Sequence, residues 1–255
     1  PAALTGNATR TGDGYGQVQA GLSGSTGLSR QTKLYGSLLA STRNNFGGVA
    51  FDQDSLTPTV GISHTTATRD VLAVSAQGQF FWLGRHAYRT SYGAIGQYTH
   101  RLEGGRAVFV SGQYFRLDYK QDHLRDANRF AGSVGFAGKY IVASVNGGRE
   151  SLVNAAAPHL AYGFASAAAS AEVPVSRTVA VVGGGSIEYR GYDGSDPLFL
   201  RSRHDTEVDA SLGLRIALAK GLTARPRVTY TRNFSPISLY DYSRATAAVG
   251  VRAEF

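Results

Sequence analysis

Six histidines, His64, His86, His100, His123, His159 and His204, are the only imidazoles in the chain, and no two stand at a ligand spacing such as His-x-x-x-His. With no cysteine in the sequence, thiolate metal sites, a thiol nucleophile and disulfides are excluded. No metal and no cofactor are therefore expected. Asp118, Asp122, His123 and Asp126 share one polar stretch, and His204–Asp205 makes a second imidazole–carboxylate pair that begins a strand. Such a contact could orient a general base. No Gly-x-Ser-x-Gly nucleophile elbow accompanies it, and solvated loop residues are the simpler reading, so no enzyme is expected. Gly183-Gly-Gly185 lies in a strand pattern, where it relieves crowding or bends the sheet rather than cradling phosphate.

The other chemistry-bearing group is ordered by period instead of by clustering. From 245 onward Ala245, Ala247, Val249, Val251, Ala253 and Phe255 alternate with Arg244, Thr246, Ala248, Gly250, Arg252 and Glu254. In 222–230 Leu222, Ala224, Pro226, Val228 and Tyr230 oppose Thr223, Arg225, Arg227 and Thr229. In 207–218 Val208, Ala210, Leu212, Leu214, Ile216 and Leu218 oppose Glu207, Asp209, Ser211, Gly213 and Arg215. A period of two means strands with one apolar and one polar face. It places Arg215, Arg225, Arg227, Arg244, Arg252, Glu207, Asp209 and Glu254 on a single polar wall. The side chains of that wall could cross-link it, or attract anionic solutes or acidic segments of a moving chain.

Read the same way, the remaining segments give strands near 2–10, 15–26, 32–43, 56–66, 71–83, 90–101, 106–118, 129–138, 140–150, 160–172 and 177–190, about fourteen in all with 12–16 allowed. Long polar links at Asn44–Ser55, Tyr119–Asn128, Gly191–Arg203 and Phe234–Leu239, with shorter ones at Gly84–Arg89 and Asn154–His159, alternate with tight turns at Ala67–Asp70, Glu103–Gly105, Val173–Ser176 and Ala219–Gly221. Long loops on one rim and short turns on the other predict an all-β, antiparallel transmembrane barrel over residues 1–255, in the outer membrane of a Gram-negative bacterium. Phe80, Phe81, Trp82, Tyr114, Phe115, Tyr189, Tyr192, Tyr240 and Tyr242 would form an aromatic girdle beside the long loops. Tyr98, Phe136, Tyr140 and Phe255 would form part of a second beside the short turns.

Composition agrees. The 255 residues include 32 Gly, 14 Tyr and 12 Phe, and the charged fraction of 17% is low for a soluble domain. No apolar run reaches the roughly 18 residues of a membrane helix. The chain opens at Pro1 with no leader pattern and contains no Met, which fits a processed or truncated chain. With 26 Lys+Arg against 18 Asp+Glu the net charge is +8, yet no basic stripe interleaves with stacking aromatics, so nucleic acid is not an expected partner. Arg85, Arg89, Arg201 and Arg203 would sit at the outer rim and meet membrane lipids and lipopolysaccharide phosphates.

The segment Arg227–Phe255 carries Tyr230-Thr-Arg-Asn233, a serine-containing loop, Leu239-Tyr-Asp-Tyr-x-Arg244 and a terminal Phe255. It resembles the end of the surface lipoprotein assembly modulator family, through Tyr230, Thr231, Arg232, Asn233, Leu239, Tyr240, Asp241, Tyr242, Arg244 and Phe255. The resemblance covers about 30 residues. It implies a 14-stranded barrel that moves lipoproteins, or soluble haem-binding proteins, to the cell surface with a periplasmic helical-repeat domain in front. No such repeat is present here, so a fragment, a partner chain, or a relative lacking that half is expected, and Ser235-Pro-Ile-Ser departs from the family's loop. Ala2–Arg10, with Leu4 its one large apolar residue, would pair weakly with the last strand, and that seam could open sideways for lipidated cargo. A passive channel for small anions is the alternative.

Overall fold

Period-two segments joined by short turns leave each strand one natural neighbour, the next along the chain. The computed structural model describes residues 12–254. Its strands are β1 (Tyr15–Gly27), β2 (Thr32–Asn45), β3 (Gln53–Thr65), β4 (Val71–Leu83), β5 (His86–Arg101), β6 (Ala107–Tyr119) and β7 (Ala127–Ala137). They continue with β8 (Ile141–Leu152), β9 (Tyr162–Pro174), β10 (Val179–Asp196), β11 (Arg201–Ala219), β12 (Leu222–Phe234) and β13 (Tyr242–Ala253). All pair antiparallel in sequence order, as one thirteen-stranded sheet of the β-barrel class. The strand expected at 2–10 lies outside the described residues. Among the described residues β1 and β13 are not paired with each other. Because thirteen is odd, these two end strands run in the same direction.

Two of the expected links are shorter than composition suggests. Gly84–Arg89 reduces to the two-residue turn Gly84–Arg85, both in the left-handed region (φ 57° and 68°), the hairpin geometry that matches strand twist. Gly191–Arg203 reduces to residues 197–200, because β10 and β11 continue past a bulge between Gly191 and Ser195. The rim asymmetry otherwise holds, with connections of up to nine residues (153–161) on one side and of five or fewer on the other.

Burial is inverted relative to a soluble sandwich. Ser75, Ser91, Glu150, Asp205, Thr231 and Asn233 are buried, whereas Leu22, Val74, Val145, Leu212, Val249 and Val251 are exposed. Register assigns the first set to one face and the second to the other. The polar face is concave: Arg215 of β11 reaches Glu172 of β9 across β10, at 2.7 Å, and Tyr242 of β13 reaches Glu207 of β11 across β12, at 3.0 Å. On the apolar face Phe80, Trp82, Tyr114 and Tyr189 stand near the long loops, and Tyr98 and Phe136 near the short turns. Phe81, Phe115, Tyr192 and Tyr242 have the opposite parity and face the polar side, so they leave the expected girdle. Tyr240 belongs to the 235–241 loop, Tyr140 to the 138–140 turn, and Phe255 lies outside the described residues.

Large rings fit on the concave face because glycines face them. Tyr35 is opposite Gly61, Phe115 opposite Gly93, Phe109 opposite Gly135 and Phe164 opposite Gly148 in directly registered pairs. A Cβ on Gly93 would stand 1.9 Å from the Tyr114 carbonyl oxygen, whereas one on Gly96 of the same strand would meet nothing within 4 Å. Gly93→Ala is therefore expected to destabilise the sheet by about 1–3 kcal/mol, and Gly96→Ala to leave it unchanged. Denaturant midpoints followed by heat-modifiable gel mobility check both; equal midpoints would refute the ring-over-glycine account.

Candidate functional site: the polar wall and the long-loop rim

Register puts seven of the eight charged wall residues of the sequence reading on the concave face, and the eighth, Glu254, follows the end of β13. Glu207, Asn233 and Tyr242 form one cross-strand row, Asp209, Thr231 and Arg244 the next, and Gly213, Arg227 and Ala248 a lower one. Arg225 and Arg252 continue the same parity toward the short-turn rim, where Glu254 follows the end of β13. Glu207 and Asp209 thus stand nearer the long loops, and most of these arginines, with Glu254, nearer the short turns. Asp209 accepts from the Thr231 hydroxyl at 2.5 Å, and Arg252 pairs with Glu254. Glu207 faces Glu188 directly across the ladder, and Arg190 pairs with Glu188. Arg225, Arg227 and Arg244 have no carboxylate partner among the described residues. Asp209 and Arg227 border a cavity of about 360 Å³ whose wall carries Ser144, Ser170, Ser186 and Ser211. Its lining comes from five consecutive strands, β8 to β12.

The C-terminal motif fastens one loop. Arg232 pairs with Asp241 at 2.7 Å, Asn233 donates to the Tyr240 carbonyl at 2.6 Å, and the Tyr242 hydroxyl donates to Glu207. The Tyr240 ring lies 3.4 Å beneath the Arg203 guanidinium, its hydroxyl donates to Asp196 at 3.4 Å, and its backbone N–H donates to the Ile237 carbonyl. Ile237 is 2% exposed, the one large side chain fully buried among the described residues. The Ile237 N–H donates to the Ser235 hydroxyl, so the departing Ser235-Pro-Ile-Ser stretch closes the loop upon itself. Tyr230 and Leu239 stay half-exposed. Arg244 faces the concave side, and Phe255 is outside the described residues.

Sequence reading missed a belt of arginines lying on aromatic rings at the long-loop ends of the strands. Arg43 covers Tyr15 (3.9 Å), Arg129 covers Phe164 (4.9 Å) and Arg203 covers both Tyr192 (4.4 Å) and Tyr240. Arg89 lies 5.9 and 5.8 Å from the rings of Phe81 and Tyr119. Arg89 and Arg203 were expected at the outer rim. They turn inward because they share parity with buried Ser91 and Asp205. Arg85 stays exposed, 3.9 Å from Asp52, and Arg201 heads β11. The signal in sequence is an arginine sharing parity with aromatics on its own or a neighbouring strand.

The imidazole–carboxylate pairs resolve differently. Neighbours on a strand point to opposite faces, so His204 lies beside Tyr189 on the apolar side while Asp205, well inside β11, is buried against Arg203. His123 meets Asp126 at 3.2 Å, but Asp126 also accepts from the Tyr119 N–H, Asp122 from the Leu124 N–H, and Asp118 pairs with Arg116. These contacts pin a turn. A third pair, invisible in sequence, joins Asp70 to His100 at 2.9 Å, with Tyr98, Thr68 and the Arg101 N–H donating to the same carboxylate. Among the described residues no group of three or more His, Asp or Glu could hold a metal ion.

Burial alone would push the Asp70 carboxyl up, but hydrogen bonds from Tyr98, Thr68, the Arg101 backbone and His100 together outweigh it and hold the group below its usual range. A depressed folded-state pKa gives stability that is present above the unfolded value of about 3.9 and is lost as pH falls through the folded one. Exchange protection of the Thr66–Asp70 turn should therefore be constant above about pH 4, fall on further acidification, and lose this pH dependence in Asp70→Asn. At the other rim, a double-mutant cycle on Arg232→Gln and Asp241→Asn is expected to give a coupling no larger than about 1 kcal/mol, because both side chains are roughly one-third exposed.

No protein-family model matches the chain, and no curated protein matches it. The likeness of residues 227–255 to a known barrel ending rests on those residues alone.

Proposed function

We propose that this chain is the barrel wall of an export device in the outer membrane of a Gram-negative bacterium, which passes lipoproteins or other proteins to the cell surface. The observation that carries the reading is the pair of unjoined ends: β1 and β13 run the same way and do not pair with each other among the described residues. A strand edge facing hydrocarbon leaves backbone groups unsatisfied, so a seam there is the weakest line in the wall and the place where it would open sideways. Lateral opening lets acyl chains stay in the bilayer while the polar part of the cargo follows the charged wall. The longer loops take the surface side, as is usual for such barrels, with Arg85 and Arg201 toward lipopolysaccharide phosphates. The resemblance of Tyr230–Asn233 and Leu239–Arg244 supports export in particular, and a periplasmic helical partner would deliver the cargo.

A passive channel for small anions is the second reading, favoured by Arg225, Arg227 and Arg244, which stand on the concave face without a carboxylate partner among the described residues. Two measurements separate them. In cells lacking the chain, protease shaving with mass spectrometry should show one or two lipoproteins lost from the surface at unchanged total abundance; an unchanged surface in cells without a redundant homologue would overturn export. In planar bilayers the exporter should be silent, whereas steady anion-selective conductance reduced by Arg227→Gln would establish the channel.

A further inference from the structure

Three connections of the long-loop rim meet around a second cavity, of about 380 Å³. The 46–52 link gives it Val49 and Ala50, the end of β4 gives Leu83, the start of β5 gives His86 and Tyr88, and the 120–126 link gives Gln121. These parts are tied to one another. The buried Asp52 carboxylate accepts from the Asn45 N–H at 2.8 Å, and the Asp52 carbonyl accepts from the Gly84 N–H at 2.9 Å. Gly84 stands so close to the 46–52 link that a Cβ there would lie 3.1 Å from the Ala50 carbonyl oxygen. On the other side the Lys120 N–H donates to the Tyr88 carbonyl at 2.9 Å, and Arg125 donates to the Tyr88 hydroxyl at 3.0 Å. The Tyr88 ring meets Phe81 and Tyr119 edge-on, with centroids 5.9 and 5.5 Å away. The cavity is therefore held open by its own scaffold.

Its lining sorts by chemistry. Val49, Ala50 and Leu83 make an apolar side, His86 and Gln121 bring imidazole and amide N–H donors, and among the described residues no carboxylate lines it. The acids nearby are committed elsewhere. Asp52 is buried on its own hydrogen bonds, Asp122 accepts from the Leu124 N–H and pairs with Arg125, and Asp126 accepts from the Tyr119 N–H. The cations beside the lining are freer. Arg85 precedes His86, is 72% exposed and meets its one carboxylate, Asp52, only at 3.9 Å. Lys120 precedes Gln121, is exposed, and has no carboxylate partner among the described residues.

We infer that this cavity is a binding site for a small apolar carboxylate, one aromatic ring or branched alkyl chain carrying one carboxyl group. The apolar part lies along Val49, Ala50 and Leu83, and the carboxylate meets the N–H donors of His86 and Gln121. Arg85 and Lys120 at the mouth favour an anion over its neutral and cationic analogues. A volume of about 380 Å³ is at the small end for ligand pockets, which suits a single ring or branch and not a polycyclic molecule. The site belongs to the rim connections and depends on neither reading of the barrel's function.

Phenylacetate titrated calorimetrically into the purified full chain in detergent, with empty micelles as the blank, tests this. Saturable binding is expected, weakened about tenfold or more by Val49→Asp and by Gln121→Glu, each of which places a carboxylate in the cavity. Phenylacetamide and benzylamine keep the ring and lose the negative charge, and should bind about tenfold more weakly or not at all. Arg177→Gln, in the turn between β9 and β10 at the opposite rim, should bind as wild type does. Heat-modifiable mobility confirms folding for every variant. Absence of saturable binding to the wild type, unchanged binding in the double variant of Val49→Asp with Gln121→Glu, equal affinity for phenylacetate and phenylacetamide, or an equal loss in Arg177→Gln would each overturn the assignment.

Discussion

On the proposed reading, every peptide N–H and C=O that enters hydrocarbon has to find its partner inside the protein. A sequence-ordered meander meets that requirement for all interior strands, since each backbone has a ladder on both sides. Among the described residues it leaves two edges, on β1 and β13, which run in the same direction because thirteen is odd.

With the backbone satisfied, the side chains are free to invert the usual order, and they do so residue by residue. Valines, leucines and alanines stand outward, and serines, threonines, glutamines and charges stand on the concave face. Crowding on that face is relieved where a large ring faces a glycine on the adjacent strand, as Tyr35 does Gly61 and Phe109 does Gly135. Charge of both signs stands toward the long loops, where Glu188, Asp205, Glu207 and Asp209 lie among Arg190 and Arg244, whereas Arg215, Arg225, Arg227 and Arg252 stand toward the short turns.

Much of this could be read from sequence where alternation was unbroken. The strands at 71–83 and 222–230, and the seven charged residues that lie within the last three strands, fall on the faces that period two assigns. Errors arose where composition imitated a loop. Gly191–Arg203, rich in Gly, Asp, Ser and Pro, continues both strands instead, held by a bulge and by the buried Asp196 carboxylate, which accepts from Leu198 and Phe199. Losing those strand ends also lost their parity, which is why Arg203 and Tyr192 were read as rim residues. Gly84–Arg85 required a left-handed arginine, which its residue type does not announce. Contacts such as Asp70 with His100, or Arg203 with Tyr240, join residues 30 or more apart through turns and loops. No local pattern encodes them.

The central claim is that the sheet separates lipid on its apolar face from water on its concave one. The natural absence of cysteine makes single-cysteine scanning clean. Spin labels placed in turn at 246 to 251 of β13, in the full chain reconstituted in bilayers, should alternate. Labels at Ala247, Val249 and Val251 should be relaxed by oxygen dissolved in lipid, and those at Thr246, Ala248 and Gly250 by a water-soluble nickel chelate. Uniform accessibility along the strand, or alternation of the opposite phase, would contradict the account.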